Sequence, residues 1–310
     1  MKKLISIITP TFNEETNIEK LSNVIAIQMQ NLDYDYEHII IDNASTDNTE
    51  SIVRTLCLKS KKIKAILNTR NFGHIRSPYH ALLCAKGDAV IAISSDFQDP
   101  PELIPRLIQK WANGSEVVFL KRISSKTNYI LEQLKLFFYK TINLISDVKL
   151  EKNITGSGIF DKKIIENLKK INDPYPYFRG MIYEFVDKVD TIEFDQPHRL
   201  SGKSNSSFFV LFDMAMLGIV KHSKLPLRIM TICGFTISVA SFFMGIFFII
   251  KKLLFWDEFQ LGLAPLIAGV FFGISIIIIM LGLIGEYIGF VLTQTRNLPL
   301  VVEKERINFN

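Results

Sequence analysis

Two stretches late in this 310-residue chain limit every fold open to it. From Ile229 to Ile250 no side chain is charged. About 22 residues of helix reach roughly 33 Å, enough to cross the hydrocarbon core of a bilayer. A second run, Leu261 to Gly285 and on toward Leu292, is equally apolar, with Glu286 near its end. Uncharged helices of this length are rare in soluble cores, so both read as transmembrane, about 227–250 and 261–292 within a membrane part spanning 226–294. Lys251, Lys252, Asp257 and Glu258 fall between them. Lys221, Lys224 and Arg228 precede the first span, and Arg296, Lys304 and Arg306 follow the second. That arrangement favours cytosolic termini, with the acidic loop outside and a cytosolic tail over 295–310.

The part before the spans, 1–205, has a different pattern. Leu4–Thr9 is a short apolar run that ends at Pro10, and a helical pattern follows through Ile18, Leu21, Val24 and Ile25. The N-terminus resembles a signal peptide, but Pro10, Asn13, Glu14 and Glu15 cut the run short. His38–Ile41 and Ala65–Leu67 read as further strands, each followed by a helix. Three such units predict a parallel sheet of the Rossmann-like α/β kind. No Gly-x-Gly-x-x-Gly follows the first strand, which disfavours ordinary dinucleotide binding. Cys57, Cys84 and Cys233 are odd in number and lack metal spacing, so they read as reduced residues. The net charge of +5 suits an anionic partner such as phosphate or lipid headgroups.

Val90–Ile93 is apolar and β-branched, a buried strand. The chain then turns acidic at Asp96-Phe97-Gln98-Asp99 and meets Pro100-Pro101, which no central strand tolerates. A carboxylate just past a strand end lies at the sheet edge where α/β folds bind ligands. Asp96 and Gln98 are hard oxygen ligands suited to Mg²⁺ or Mn²⁺, and Asp99 reads as the cap of the turn before Pro100. Asp42, after the second strand, is placed to accept hydrogen bonds from a base or ribose, while Ser45 and Asp47 are helix-cap candidates. Arg70 follows the third strand. Lys121 and Arg122 end a strand over 116–120 and are suited to an anion. Gly156 and Gly158 permit close backbone approach. Asp161 reads from the residues alone as the cap of helix 162–168. Two amphipathic runs, about 126–147 and 206–225, are packed helices or interfacial ones.

Asp96-Phe97-Gln98-Asp99-Pro100-Pro101-Glu102 resembles the Asp-Leu-Gln-Asp-Pro-Pro-Glu signature of polyprenyl-phosphate glycosyltransferases, the dolichyl-phosphate-mannose-synthase-like branch of glycosyltransferase family 2. Pro10, Asn13, Glu14 and Glu15 match that family's Pro-x-x-Asn-Glu-Glu. Asp42 to Asp47 resembles Asp-Asp-x-Ser-x-Asp with Asn43 at the second acid, and Arg70-Asn71-Phe72-Gly73 matches Arg-Asn-x-Gly. Arg199 to Asn205 resembles Arg-x-x-Gly-x-Ser-Lys, and Gly282 to Tyr287 resembles Gly-x-x-Gly-Glu-Tyr. Ser94 stands where the first acid of an Asp-x-Asp is usual, and the arginine of the family's Gly-x-Phe-Arg-Leu is missing before Asp161.

The resemblance implies a GT-A nucleotide-sugar-binding domain, interfacial helices and a two-helix anchor in the plasma membrane. It implies inverting transfer of a sugar from a nucleotide donor, UDP-glucose or another UDP-hexose, to polyprenyl (undecaprenyl) phosphate for cell-surface glycan modification. The donor would meet Pro10, Asn13, Glu15, Asp42, Arg70 and Asp96. The metal would take Asp96 and Gln98, and the acceptor phosphate Arg122, Arg199 and Ser204. Asp96 and Asp161 would be catalytic. No nucleic-acid partner is implied, and relatives assemble as tetramers. Two other readings compete: a membrane-anchored nucleotide-sugar binder without turnover, and a processive polysaccharide synthase. Against the latter, Gln196-x-x-Arg199 is followed by Leu200 where such synthases carry Trp.

Overall fold

The computed structural model describes residues 2–123, 151–186, 188–197, 216, 220–221, 225–254 and 263–309. The helical run at 126–147, nearly all of that at 206–225, the loop with Asp257 and Glu258, Arg199 and Ser204 lie outside the described residues.

The first four strands are β1 (Leu4–Thr11), β2 (Asp35–Asp42), β3 (Ile63–Asn68) and β4 (Ala89–Ala92). They alternate with α1 (Ile18–Gln30), α2 (Thr49–Lys59) and α3 (Gly73–Cys84). After β4 come a short 3₁₀ turn, α4 (Ile104–Ala112), β5 (Val117–Arg122), β6 (Ile154–Asp161), α5 (Lys162–Lys169), α6 (Phe178–Phe185) and β7 (Asp190–Phe194). Two long helices follow, α7 (Leu225–Leu254) and α8 (Leu263–Thr295), and then β8 (Glu303–Ile307).

The strands form one sheet in the order β7-β5-β6-β4-β1-β2-β3-β8. β1, β2, β3 and β4 pair in parallel, as their β-α units require. The sheet is mixed, not parallel throughout: β6 runs antiparallel to both β4 and β5, and β8 antiparallel to β3. β6 escapes a propensity reading because Gly156, Ser157 and Gly158 fill its middle. Gly158 is obligatory there, since a Cβ would stand 2.1 Å from the Val118 carbonyl of β5. β8 reads Glu-Lys-Glu-Arg-Ile, a charged edge strand. Residues of the expected cytosolic tail thus complete the sheet.

Helices cover both faces, so strand residues alternate between two apolar clusters. Val117, Phe119 and Phe160 pack with Tyr79, Leu82, Leu168 and Ile182 of α3, α5 and α6. Val118, Leu120 and Ile159 face the other way, onto Leu21, Ile25, Leu107 and Trp111 of α1 and α4. A rigid double-covered sheet leaves its carboxyl edge as the place for loops that act.

Two segments of α7 and α8, Leu225–Phe247 and Gly269–Thr295, are long and apolar enough to cross a membrane. Their large apolar side chains lie exposed, Phe235 at 72% and Ile279 at 72%. Such continuous apolar surface belongs in lipid rather than water.

Candidate active site

The carboxyl ends of β1, β2, β3, β4, β5 and β7 share one edge of the sheet, and the amino end of β6 meets them there. Two loops at this edge are clipped together. Asn13 adopts φ 58, a left-handed conformation that asparagine tolerates, and its backbone N–H donates to Ser45 Oγ at 2.9 Å. Asn13 Oδ1 accepts the Thr46 N–H at 2.8 Å. Glu15 Oε2 accepts the backbone and side-chain N–H groups of Asn48 at 3.0 and 2.9 Å.

Asp42 is wholly buried. It accepts the hydroxyl and N–H of Ser45 and the hydroxyl of Thr11. Burial holds its carboxyl above the ordinary range, and those bonds pull it back. The acid expected to meet the donor's base or ribose also builds the loop around it. Beside it, Asn43 Nδ2 donates to Asn71 Oδ1 at 2.8 Å and Gly73 O at 3.3 Å, and Asn43 Oδ1 accepts Asn68 Nδ2 and the Phe72 N–H. A second aspartate could not make the two donated bonds. Arg70 is exposed and stacks on Phe72, 4.3 Å from the ring centre, with Arg76 at 5.4 Å from the same ring.

Asp96 lies past the end of β4 and is 5% exposed. Phe97 takes φ 58, unusual for an aromatic residue, which brings the Gln98 N–H to Asp96 Oδ1 at 3.1 Å. Asp99 does not cap the turn: the 3₁₀ segment has no side-chain cap. Its partner is far off in sequence, the Ser157 hydroxyl of β6, which donates to Asp99 Oδ2 at 2.6 Å. Burial raises the Asp99 carboxyl, Ser157, Ser94 and Arg122 oppose that, and Asp96 adds to it. Ser94 favours the ionised form of Asp99 through a side-chain hydrogen bond. Asp96, Gln98, Asp99 and Ser94 together offer hard oxygens, a donor set that fits Mg²⁺ or Mn²⁺. Among the described residues, His80, Cys84 and Glu303 also cluster as possible metal ligands. There Arg306 already bonds Cys84 and Glu303, a cation in the metal's place.

A cavity of about 310 Å³ adjoins Ser94. Pro10, Ser94, Ser157, His74 and Arg179 line it beside aromatic Tyr177 and Phe178. Arg179 Nη1 donates to the Ile154 carbonyl at 2.9 Å. Burial, and then Arg179, hold His74 below the ordinary histidine range. Arg122 ends β5 at the same edge, with Nε buried and outside any hydrogen bond.

Asp161 is not brought to this edge. It pairs in register with Ala89, at the start of β4, whereas Asp96 lies beyond the other end. Asp161 Oδ1 caps α5 by accepting the Lys163 N–H at 2.9 Å, and Oδ2 accepts the Trp111 indole N–H at 2.8 Å. The structure therefore removes Asp161 from the acids at the site. Ser157, His74 and Arg179 are site residues that the pattern reading did not select. The pair of glycines around Ser157 was the signal for the first; the other two carry none.

A mixed α/β sheet with an oxygen-rich site at its carboxyl edge is the arrangement of a GT-A glycosyltransferase. The glycosyl transferase family 2 model matches residues 6–186, and the chain belongs to that family. It is 32% identical over 302 residues to the SfII prophage-derived bactoprenol glucosyl transferase of Shigella flexneri, covering 97% of each chain. It is 31% identical to the prophage bactoprenol glucosyl transferase homolog of Escherichia coli K12, covering 97% of this chain and 98% of that one. Among solved structures it resembles glucosyl-3-phosphoglycerate synthase of Mycobacterium tuberculosis, a complex with Mn²⁺, UDP-glucose and phosphoglyceric acid. That likeness has a TM-score of 0.51 and 18% identity over 70% of this chain and 78% of that one.

Proposed function

We propose that this glycosyltransferase moves glucose from UDP-glucose to the phosphate of a bactoprenol-type polyprenyl lipid at the cytosolic membrane face. The observation that carries the reading is the joining of one oxygen-rich sheet edge to two apolar spans, in a chain matching bactoprenol glucosyl transferases along 97% of its length. Pro10, Asn13 and Glu15 shape the donor's loops, and Arg70 stands exposed at the same edge. A divalent ion on Asp96 and Gln98, Mg²⁺ or Mn²⁺, supplies charge neutralisation for the departing diphosphate. The cavity beside Ser94 takes the hexose between aromatic and polar walls. Arg122 and, by resemblance, Arg199 and Ser204 hold the acceptor phosphate. A phosphate monoester has its second pKa near about 6, so at pH 7 it is largely a dianion already. Attack by that oxygen needs positioning more than a general base, which agrees with an Asp161 spent on capping. Direct displacement inverts the anomeric centre. Domain limits near 205 and 226, cytosolic termini and a homotetramer complete the proposal.

The test uses the purified full chain in lipid nanodiscs with undecaprenyl phosphate and radiolabelled UDP-glucose. Labelled lipid should form with Mg²⁺ or Mn²⁺. Asp96→Asn should fold but lose transfer by orders of magnitude, since each ~1.4 kcal/mol of lost transition-state stabilisation is tenfold. Binding of UDP-glucose with no turnover would make the protein a binder, and a polymeric product would make it a processive synthase.

A further inference from the structure

The cavity beside Ser94 holds a permanent charge with no countercharge on its walls. Arg179 lines it, and none of the described lining residues is a carboxylate. A guanidinium stays ionised throughout the working pH range, and charges drawn out of water are normally paired. Arg179 is half-buried on α6. Among the described residues its guanidinium has one hydrogen bond, from Nη1 to the Ile154 carbonyl at 2.9 Å. Gly156 of β6 backs the stem, since a Cβ there would meet Arg179 Cδ at 3.8 Å. The stem and one nitrogen are thus held, and Nε and Nη2 remain to donate to a ligand.

The start of β6 brings a second arginine to the same place. The Arg122 backbone N–H donates to the Asn153 carbonyl at 3.0 Å, one residue before the carbonyl that Arg179 bonds. Arg122 Nε is buried without a hydrogen bond. Asp99 lies near enough to feel the charge of Arg122, whereas Arg179 has no such acid. The chemistry restricts what Arg179 can hold. A hexose supplies hydroxyls but no charge. A phosphate supplies both charge and oxygens that match the guanidinium fork. The donor's diphosphate already has the divalent ion on Asp96 and Gln98, carried by the turn after β4. Arg179 is carried by another element, so the anion left for it is the phosphate of the acceptor.

We infer that Arg179 binds the phosphate of the acceptor lipid at the cavity that takes the hexose, as a second arginine beside Arg122. Gly156 makes room for its stem and the Ile154 carbonyl sets its direction. The inference rests on the acceptor reading proposed above.

The test takes the full chain in nanodiscs and measures the KM for undecaprenyl phosphate, and separately the Kd of UDP-glucose without acceptor. Arg179→Gln should raise the acceptor KM by about 10- to 150-fold, the range of a lost charge-assisted contact, and leave the Kd of UDP-glucose unchanged. Arg179→Lys keeps the charge and a donor for Ile154 but loses the fork, so its acceptor KM should fall between the two. It carries the test if Arg179→Gln misfolds. Binding of farnesyl phosphate, with farnesol as control for the chain, gives a comparison without turnover: wild type should prefer the phosphate, and Arg179→Gln should lose that preference. A weakened Kd for UDP-glucose with the acceptor KM unmoved would assign Arg179 to the donor and overturn the inference. Wild-type values of both in Arg179→Gln would overturn it as well, and leave the functional reading standing. No transfer to undecaprenyl phosphate by wild type would remove the functional reading itself, and this role with it.

Discussion

Asp161 Oδ2 accepts the indole N–H of Trp111 at 2.8 Å, which ties α4 to the start of α5 across the end of β6. The bond explains why an acid in a glycine-rich strand of a glycosyltransferase need not touch sugar. Asp161→Asn keeps one oxygen, enough for the α5 cap, but turns an NH₂ donor toward the Trp111 indole N–H in place of the second acceptor. It should lower the unfolding free energy by about 1–2 kcal/mol and leave kcat near wild type. Chemical denaturation and initial transfer rates check this. A folded variant whose transfer falls a thousandfold would return Asp161 to the chemistry.

His38 gives the fold a pH dependence. It is buried in β2 between the Thr9 and Ser22 hydroxyls, at 3.0 and 3.4 Å. Burial lowers its pKa to about 3, against about 6.5 in an open chain. The unfolded state therefore binds the proton more tightly. The neutral ring's contribution is whole above about pH 6.5 and is lost as pH falls, at about 1.4 kcal/mol per unit down to about pH 3. Between pH 7 and 5.5 the loss is about 1.3 kcal/mol. Denaturant midpoints across that window should slope less in His38→Gln than in wild type, and equal slopes would contradict the assignment.

Lys221 and the end of α8 meet at Asp173. Its ammonium bonds Asp173 and the Tyr175 carbonyl, and Gln294 near the end of α8 donates to the same Asp173 at 3.0 Å. The two charged side chains are only 7% and 11% exposed. Burial pulls the Lys221 pKa down and Asp173 pulls it back up. Asp173→Ala strands the ammonium and should cost about 3–5 kcal/mol, while Asp173→Ala with Lys221→Met should recover much of that. Unfolding in detergent measures both, and an unaffected single variant would show that the cluster holds nothing.

Both ends of the helix hairpin rejoin one sheet, because β7 precedes α7 and β8, after α8, pairs with β3. On the proposed two-span reading, the loop between the helices is expected on the opposite side of the bilayer. A cysteine at Asp257, in a chain freed of Cys57, Cys84 and Cys233, should react with an impermeant thiol reagent on intact cells. Reaction at Asn310→Cys in its stead would invert the topology.

What the residues made legible was what acts locally. The Ile39-Ile40-Ile41 run and its counterparts announce β1 to β5, and the uncharged runs announce α7 and α8. β6 and β8 were hidden because glycine in one and charge in the other contradict strand propensity, and pairing with β4, β5 and β3 overrides it. Asp96 could be read from its place after an apolar strand. Asp99 could not, because the prolines beside it offer a local role as a cap, while its real partner is 58 residues away. Asp161 is the converse: the local capping rule described it correctly, and resemblance to a family drew it toward catalysis.

β8 carries a consequence for how the protein is made. A ribosome delivers β8 only after both apolar helices have been made, so β3 waits with its outer edge open until then. Until then Arg54 and Glu50 lack the Glu305 and Lys304 that later bind them, and the side chain of Asn308 has not closed over the carbonyls of Cys57 and Ile63. An open strand edge invites pairing with another chain. The strand made last is therefore the one that closes the open flank of the strand made third, across the whole length of both long helices.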